Sequence, residues 1–241
     1  MMDWGIIAVS AVIALVGGVV RGITGFGGAL VMTPPLSFVL GPQLAVPAVL
    51  LLESFAAAPR LRAALRVARP RLIVPICVAA AFGVPLGVAV LVGTEPQLVR
   101  RWISGIVIVF SLVLLRGLRF TGPQRSITSV ALGAFSGVLV GATGIGGPPI
   151  ILYLLSGPDP IAVTRANLTL VVAAISVMTL LALWARGALD SSALQAALIL
   201  VPFYYGGLKL GIHLFPRFDE IKFRRFTLIL LASVSTVLLF L

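Results

Sequence analysis

The chain has 241 residues, 60% of them hydrophobic and 10% charged, with 18 Lys and Arg against 7 Asp and Glu and a net charge of +11. A water-soluble domain carries about 25% charged residues, so a soluble enzyme or binding module is excluded, and the mean hydropathy of +1.17 points to a membrane protein. Nucleic acid is excluded as the partner of the positive charge by its placement. Arg60, Arg62, Arg66, Arg69 and Arg71 fill one connection between apolar runs, and Arg116, Arg119 and Arg125 fill another, as topology signals beside membrane spans do.

The apolar runs predict helices near residues 4–21, 24–40, 43–58, 72–93 and 98–115, then 127–143, 145–156, 161–185, 192–214 and 224–241. Met1-Met2-Asp3-Trp4 lacks the basic region and cleavage site of a secretory signal, so the first run counts as a span. A helix needs about 20 residues to cross the apolar layer. The run at 145–156 is too short, and Pro34-Pro35 and Pro148-Pro149 are expected to interrupt the second run of each half, giving broken or re-entrant segments. Cys77 is the only cysteine, which excludes an intrachain disulfide.

The sequence repeats itself. Gly18-Val19-x-x-Gly22-x-Thr24-Gly25-x-Gly27-Gly28 returns as Gly137-Val138-x-x-Gly141-x-Thr143-Gly144-x-Gly146-Gly147, an offset of 119. Gly83, Leu86, Gly87 and Arg100-Arg101 return as Gly207, Leu210, Gly211 and Arg224-Arg225, an offset of 124. The expected architecture is an all-α polytopic membrane protein of two repeats, 1–121 and 122–241, each of about five segments. An odd segment number inverts the second repeat. The strongly basic connections 59–71, 116–126 and 215–225 (Arg217, Lys222, Arg224 and Arg225 against Asp219 and Glu220) then share the cytoplasmic side, with some strain at Arg100-Arg101 on the other.

The glycine sets Gly18/Gly22, Gly133/Gly137/Gly141, Gly83/Gly87 and Gly207/Gly211 suit close helix packing. The clusters Thr24-Gly25-x-Gly27-Gly28 and Thr143-Gly144-x-Gly146-Gly147 are poor helix formers inside apolar sequence. A helix that ends there exposes N–H groups and a positive helix end. Two such gaps brought together would make an anion site, with Gly22, Gly141 and the hydroxyls of Thr24 and Thr143 beside it. Pro148 removes one donor from the second copy. Neither cluster continues into a phosphate-loop Lys-Ser or Lys-Thr.

Polar residues in apolar runs are the other candidates, since charge in lipid is costly. Arg21 either neutralises an anion or anchors at the interface. Arg165 and Asn167, whose repeat counterparts are Val46 and Ala48, either give the site one preferred orientation or, for Arg165, snorkel. Glu53 is the proton-coupling candidate, or a structural partner for an arginine. Tyr153 either offers a hydroxyl or belongs to an interfacial belt, and the lone His213, one turn from Lys209, suits packing better than proton relay.

In the paired windows Gly22-Ile-Thr-Gly-Phe-Gly-Gly28 with Pro34-Pro35-Leu36, and Gly141-Ala-Thr-Gly-Ile-Gly-Gly-Pro-Pro149 with Tyr153-Leu154-Leu155, the chain resembles the sulfite exporter TauE/SafE family of membrane transporters. The resemblance implies a carrier in the bacterial cytoplasmic membrane for small sulfur anions such as sulfite or organosulfonates. Many members have a third glycine after the first Gly-Gly, where this chain has Ala29. The expected mechanism is secondary transport by alternating access, without cofactor or metal; an anion channel or a carrier of another small organic acid is the alternative. The expected partners are the small anion and membrane lipids, and the small-residue faces allow a homodimer. With one His, one Cys and seven carboxylates, no catalytic constellation supports an enzyme.

Overall fold

A chain that spans lipid must satisfy its backbone hydrogen bonds within each segment, and the apolar runs do so as helices. The computed structural model describes residues 3–117, 126–157, 159–214 and 220–240. Among these are ten α-helices and no strand: α1 (Trp4–Thr24), α2 (Gly28–Leu40), α3 (Pro42–Val67), α4 (Pro70–Gly93), α5 (Pro96–Leu115), α6 (Ser126–Thr143), α7 (Gly147–Leu155), α8 (Ile161–Ala185), α9 (Ser191–Leu214) and α10 (Glu220–Phe240). Arg119, Arg125, Arg217, Asp219 and the boundary between residues 121 and 122 lie outside the described residues. So do the side chains of Glu220, Lys222 and Arg224.

Seven of the described helices, α1, α3, α4, α5, α6, α8 and α9, are long and apolar enough to cross a membrane. With α2 at 13 residues and α7 at 9, a rise of 1.5 Å per residue gives lengths of about 20 Å and about 14 Å, short of a hydrocarbon layer about 30 Å thick. Large apolar side chains are exposed outward, among them Phe82 (76%), Trp184 (70%) and Phe240 (83%). In water these would be aggregation sites; against lipid they are the expected surface. The chain is an integral membrane protein of the all-α polytopic class.

The helices form two compact units. The first takes Met1–Leu52, Thr94–Gly117 and Asp190–Leu241; the second takes Glu53–Gly93 and Leu118–Leu189. Each unit therefore draws on both sequence halves. In the first, α1 packs on α9, and α2 lies against α1, α5 and α10. In the second, α6 packs on α4, and α8 touches α4, α6 and α7.

The glycine pairs make the closest of these contacts. A Cβ on Gly22 would sit 2.8 Å from the Gly211 Cα in the α1–α9 pair, and one on Gly87 would sit 2.9 Å from the Gly141 Cα in the α4–α6 pair. Under the offsets of 119 and 124 these are equivalent contacts. The packing role expected for these pairs therefore holds, and it also takes in Gly22 and Gly141, which the sequence had placed beside the anion site.

The proline pairs behave differently from expectation. Pro34 and Pro35 lie inside α2, which runs through them, and Pro148 and Pro149 occupy the first turn of α7. A first-turn proline has no intrahelical bond to lose. In α2 the prolines delete single hydrogen bonds, those to the Leu30 and Val31 carbonyls. The interruptions fall at the glycines alone.

Candidate functional site

Each glycine cluster closes a helix of spanning length and opens a short one. α1 has 21 residues and α6 has 18, so the clusters end full spans rather than dividing one helix into two halves. At the first break Gly25 takes φ 79°, and its N–H caps α1 by donating to Arg21 O at 2.9 Å. Gly27 follows with φ 86° and forms the N-cap of α2. Only glycine holds such angles without strain. The chain then doubles back: Gly17 of α1 faces Met32 and the Gly28 carbonyl of α2. The second break repeats the first turn, with Gly144 at φ 70° donating to Val140 O at 2.8 Å. It departs at Gly146, whose φ of −139° is not left-handed and which lies against Val140 and the Ser136 carbonyl.

The threonines do local work. Thr24 Oγ1 donates to Val20 O at 2.8 Å and lies 3.4 Å from the Phe26 N–H, which donates to it. Thr143 Oγ1 donates to Leu139 O at 2.7 Å, and Ile145 N–H donates to it at 3.2 Å. Each hydroxyl proton is thus held by a backbone carbonyl. The donors left over at each break are backbone N–H groups, because the first residues of a helix have no intrahelical acceptor. At α2 these are Gly28, Ala29 and Leu30. At α7 Pro148 and Pro149 carry no N–H, leaving Gly147 alone of the first three.

The first break is partly open, with Gly25 exposed and Arg21, Phe26 and Gly27 half-buried, whereas at the second Thr143, Gly144, Ile145 and Gly146 are all buried. The two breaks belong to different units, and each is described by itself. Arg21 sits in the last turn of α1, where its charge also suits the negative helix end.

The remaining candidates are dispersed. Glu53 is buried within α3. Arg165 is exposed near the start of α8. Asn167 is fully buried, and its Oδ1 accepts the Arg69 N–H at 2.8 Å. Arg69 also pairs with Asp159, so Asn167 and Asp159 together tie the α3–α4 turn to α8 and the residues before it. Lys209 lies over the Tyr205 ring, 5.2 Å from its centre, and His213 is exposed.

Tyr153 is fully buried, and its hydroxyl meets Ser129 Oγ at 2.7 Å, an inward position that an interfacial belt would not give. Sequence reasoning missed this bond, although Ser129 repeats Ser10 at the same offset of 119. Tyr153→Phe leaves a buried Ser129 hydroxyl without this partner. It is expected to cost about 1–3 kcal/mol, read as a lower melting temperature in detergent. Adding Ser129→Ala should restore part of the loss, and a double variant no better than the single one would show that the bond is not the cause.

The decisive comparison covers nearly the whole chain, for the profile of the sulfite exporter TauE/SafE family matches residues 10–238. The chain belongs to that family. TauE/SafE proteins are membrane transporters, and a transporter rather than an enzyme is the class this membership supports. No curated protein and no solved structure matches closely enough to add a relative or a fold neighbour.

Proposed function

We propose that the chain is a secondary transporter of small sulfur anions, of the sulfite or organosulfonate type, in the bacterial cytoplasmic membrane. The anion docks at the glycine breaks, and the two sequence repeats, inverted relative to each other, move it by alternating access. One observation carries the reading: α2 opens on the left-handed Gly27 with three successive N–H donors, beside the half-buried Arg21 of the preceding turn. A helix N-terminus of this kind favours an anion through its dipole and its unpaired donors. Family membership supports sulfur anions as the class.

The two breaks are unequal cradles. With three donors and an arginine the first is the stronger, and the second is depleted by its prolines. Tyr153, bonded to Ser129, then acts as a support of the second unit, whereas Asn167 keeps a buried Nδ2 donor beside the Oδ1 that holds Arg69.

The test is thermal stabilisation of the purified protein by sulfite, thiosulfate, sulfoacetate and sulfate, followed by flux into proteoliposomes. A ligand at 100 times its Kd stabilises the native state by about 2.7 kcal/mol, so the cognate anion should raise the melting temperature saturably. Slow, saturable flux of that anion completes the case. Stabilisation and flux confined to carboxylates or neutral solutes would overturn the sulfur-anion reading, and unitary currents would replace the carrier with a channel.

A further inference from the structure

Among the described residues, six side-chain hydroxyls are buried without a hydrogen bond, and five of them, Ser10, Thr33, Ser37, Ser111 and Ser235, fall in the first unit. Each is at most 1% exposed. Burying a hydroxyl without a partner is costly, and native proteins rarely repeat the cost in one place. The helices that carry them are neighbours: α2, which carries Thr33 and Ser37, lies against α1, α5 and α10. Ser111 on α5 and Ser235 on α10 hold equivalent positions under the offset of 124.

At two of these positions, Ser10 and Ser37, the second repeat satisfies what the first leaves open. Ser129, the counterpart of Ser10, bonds to Tyr153. Ser156, the counterpart of Ser37, donates to its own Leu152 carbonyl at 2.7 Å. In the first repeat Pro34 stands where Tyr153 stands, so the phenol is missing. Pro34 also lacks the N–H that Leu30 O would accept, and Pro35 the one for Val31 O.

Leu30, Thr33, Pro34 and Ser37 follow the spacing i, i+3, i+4, i+7 and share one buried stripe of α2. That stripe therefore carries two hydroxyl oxygens and a carbonyl oxygen deprived of its donor. The set is oxygen-only and neutral. α1, α2 and α5 contain no Asp or Glu, and α10 has only Glu220, at its first residue. Divalent cations are held by carboxylates, whereas a set of neutral carbonyl and hydroxyl oxygens suits a monovalent ion.

We propose that the first unit binds a sodium ion on this stripe of α2, held by Thr33 Oγ1, Ser37 Oγ and the Leu30 carbonyl, with the hydroxyls of the adjoining helices completing its shell. The ion occupies the middle of the helix whose N-terminus receives the anion. Resting on the anion reading, this gives the site a further role: sodium is the coupling ion, and each ligand offsets the charge of the other. Such a coupling is reciprocal, so sodium raises anion affinity by the factor by which the anion raises sodium affinity.

The test uses the full chain in nanodiscs and radiolabelled sodium, with choline holding ionic strength constant. Wild-type protein should bind sodium saturably, and unlabelled sodium should displace it. Binding should weaken at least about tenfold in Thr33→Val and in Ser37→Ala, a change of about 1.4 kcal/mol, and stay unchanged in Ser156→Ala. Should Thr33→Val fail to fold, the smaller change Ser37→Ala decides. No saturable sodium binding by folded wild-type protein would overturn the proposal, as would binding that survives unchanged in Ser37→Ala. Hydroxyls satisfied by water alone predict that first result. Sulfite flux that is equal in sodium and choline, together with absent sodium binding, would remove the ion site and leave anion transport standing. Sodium binding without flux of any anion would overturn the coupling role and the transport reading while leaving the ion site.

Discussion

Gly27→Leu should abolish anion binding and transport while the protein remains folded. A Cβ at Gly27 meets no atom within 4 Å, so the side chain starts into open space, and the main cost of folding is a left-handed φ of 86°. That strain is worth about 1–2 kcal/mol, small beside the stability of about 5–15 kcal/mol typical of a native protein. The new side chain stands at the mouth of α2, next to the Gly28, Ala29 and Leu30 N–H groups. Displacing even one hydrogen bond to a charged ligand costs about 1.5–3 kcal/mol, a loss of roughly tenfold or more in affinity. The readouts are the anion-dependent melting shift and proteoliposome flux, with size exclusion confirming fold. Full transport by Gly27→Leu would sink the anion site at this break. Gly146→Leu is not an equivalent probe, because a Cβ there meets Val140 and lies 2.7 Å from the Ser136 carbonyl, so that variant should lose fold together with function.

The helices were legible because lipid permits few alternatives: the apolar run at 161–185 and α8 have the same limits, and the others agree within a few residues except at the charged ends of α3 and α10. The extension of α3 to Val67 is instructive. Arg60, Arg62 and Arg66 are good helix formers, so the basic connection continues the helix, and charge marked the end of the apolar run but not of the helix. The glycine breaks were legible too, as residues that no helix tolerates in such density. Which residues bind what was much less so. Thr24 and Thr143 read as ligand hydroxyls, yet their protons are taken by backbone carbonyls within one turn, a local competition that spacing does not reveal. Asn167 read as a candidate ligand, yet its carbonyl oxygen holds the Arg69 N–H across 98 residues of sequence, and no local pattern encodes that contact. Ser10 and Ser37 passed unnoticed because an isolated serine in a span carries no signal until its partner is found missing.

The largest effect on stability is expected from a single methyl group. In Gly87→Ala the Cβ would collide with the Val138 carbonyl and lie 2.8 Å from the Ala142 nitrogen and 2.9 Å from the Gly141 Cα. All three atoms are backbone of α6, and no rotamer change relieves the overlap, so α4 and α6 must separate along their whole contact. Overpacking a core by a methylene already costs about 1–3 kcal/mol, and a clash with rigid backbone belongs at or above the top of that range. Gly211→Ala repeats the experiment in the other unit, where the Cβ would collide with the Val19 carbonyl and approach the Gly22 Cα to 3.0 Å. The two variants should therefore lose folded protein to a similar degree, although they lie in different units. Gly206→Ala supplies the contrast. It is one residue from the interface glycine Gly207, its Cβ meets nothing within 4 Å, and alanine improves helix propensity by about 1 kcal/mol. Thermal melts followed by size exclusion should rank Gly206→Ala at or above wild type, with Gly87→Ala and Gly211→Ala far below. A Gly87→Ala protein as stable as wild type would show that the α4–α6 pair does not depend on backbone contact, and the equivalence of the two glycine interfaces would lose its physical basis.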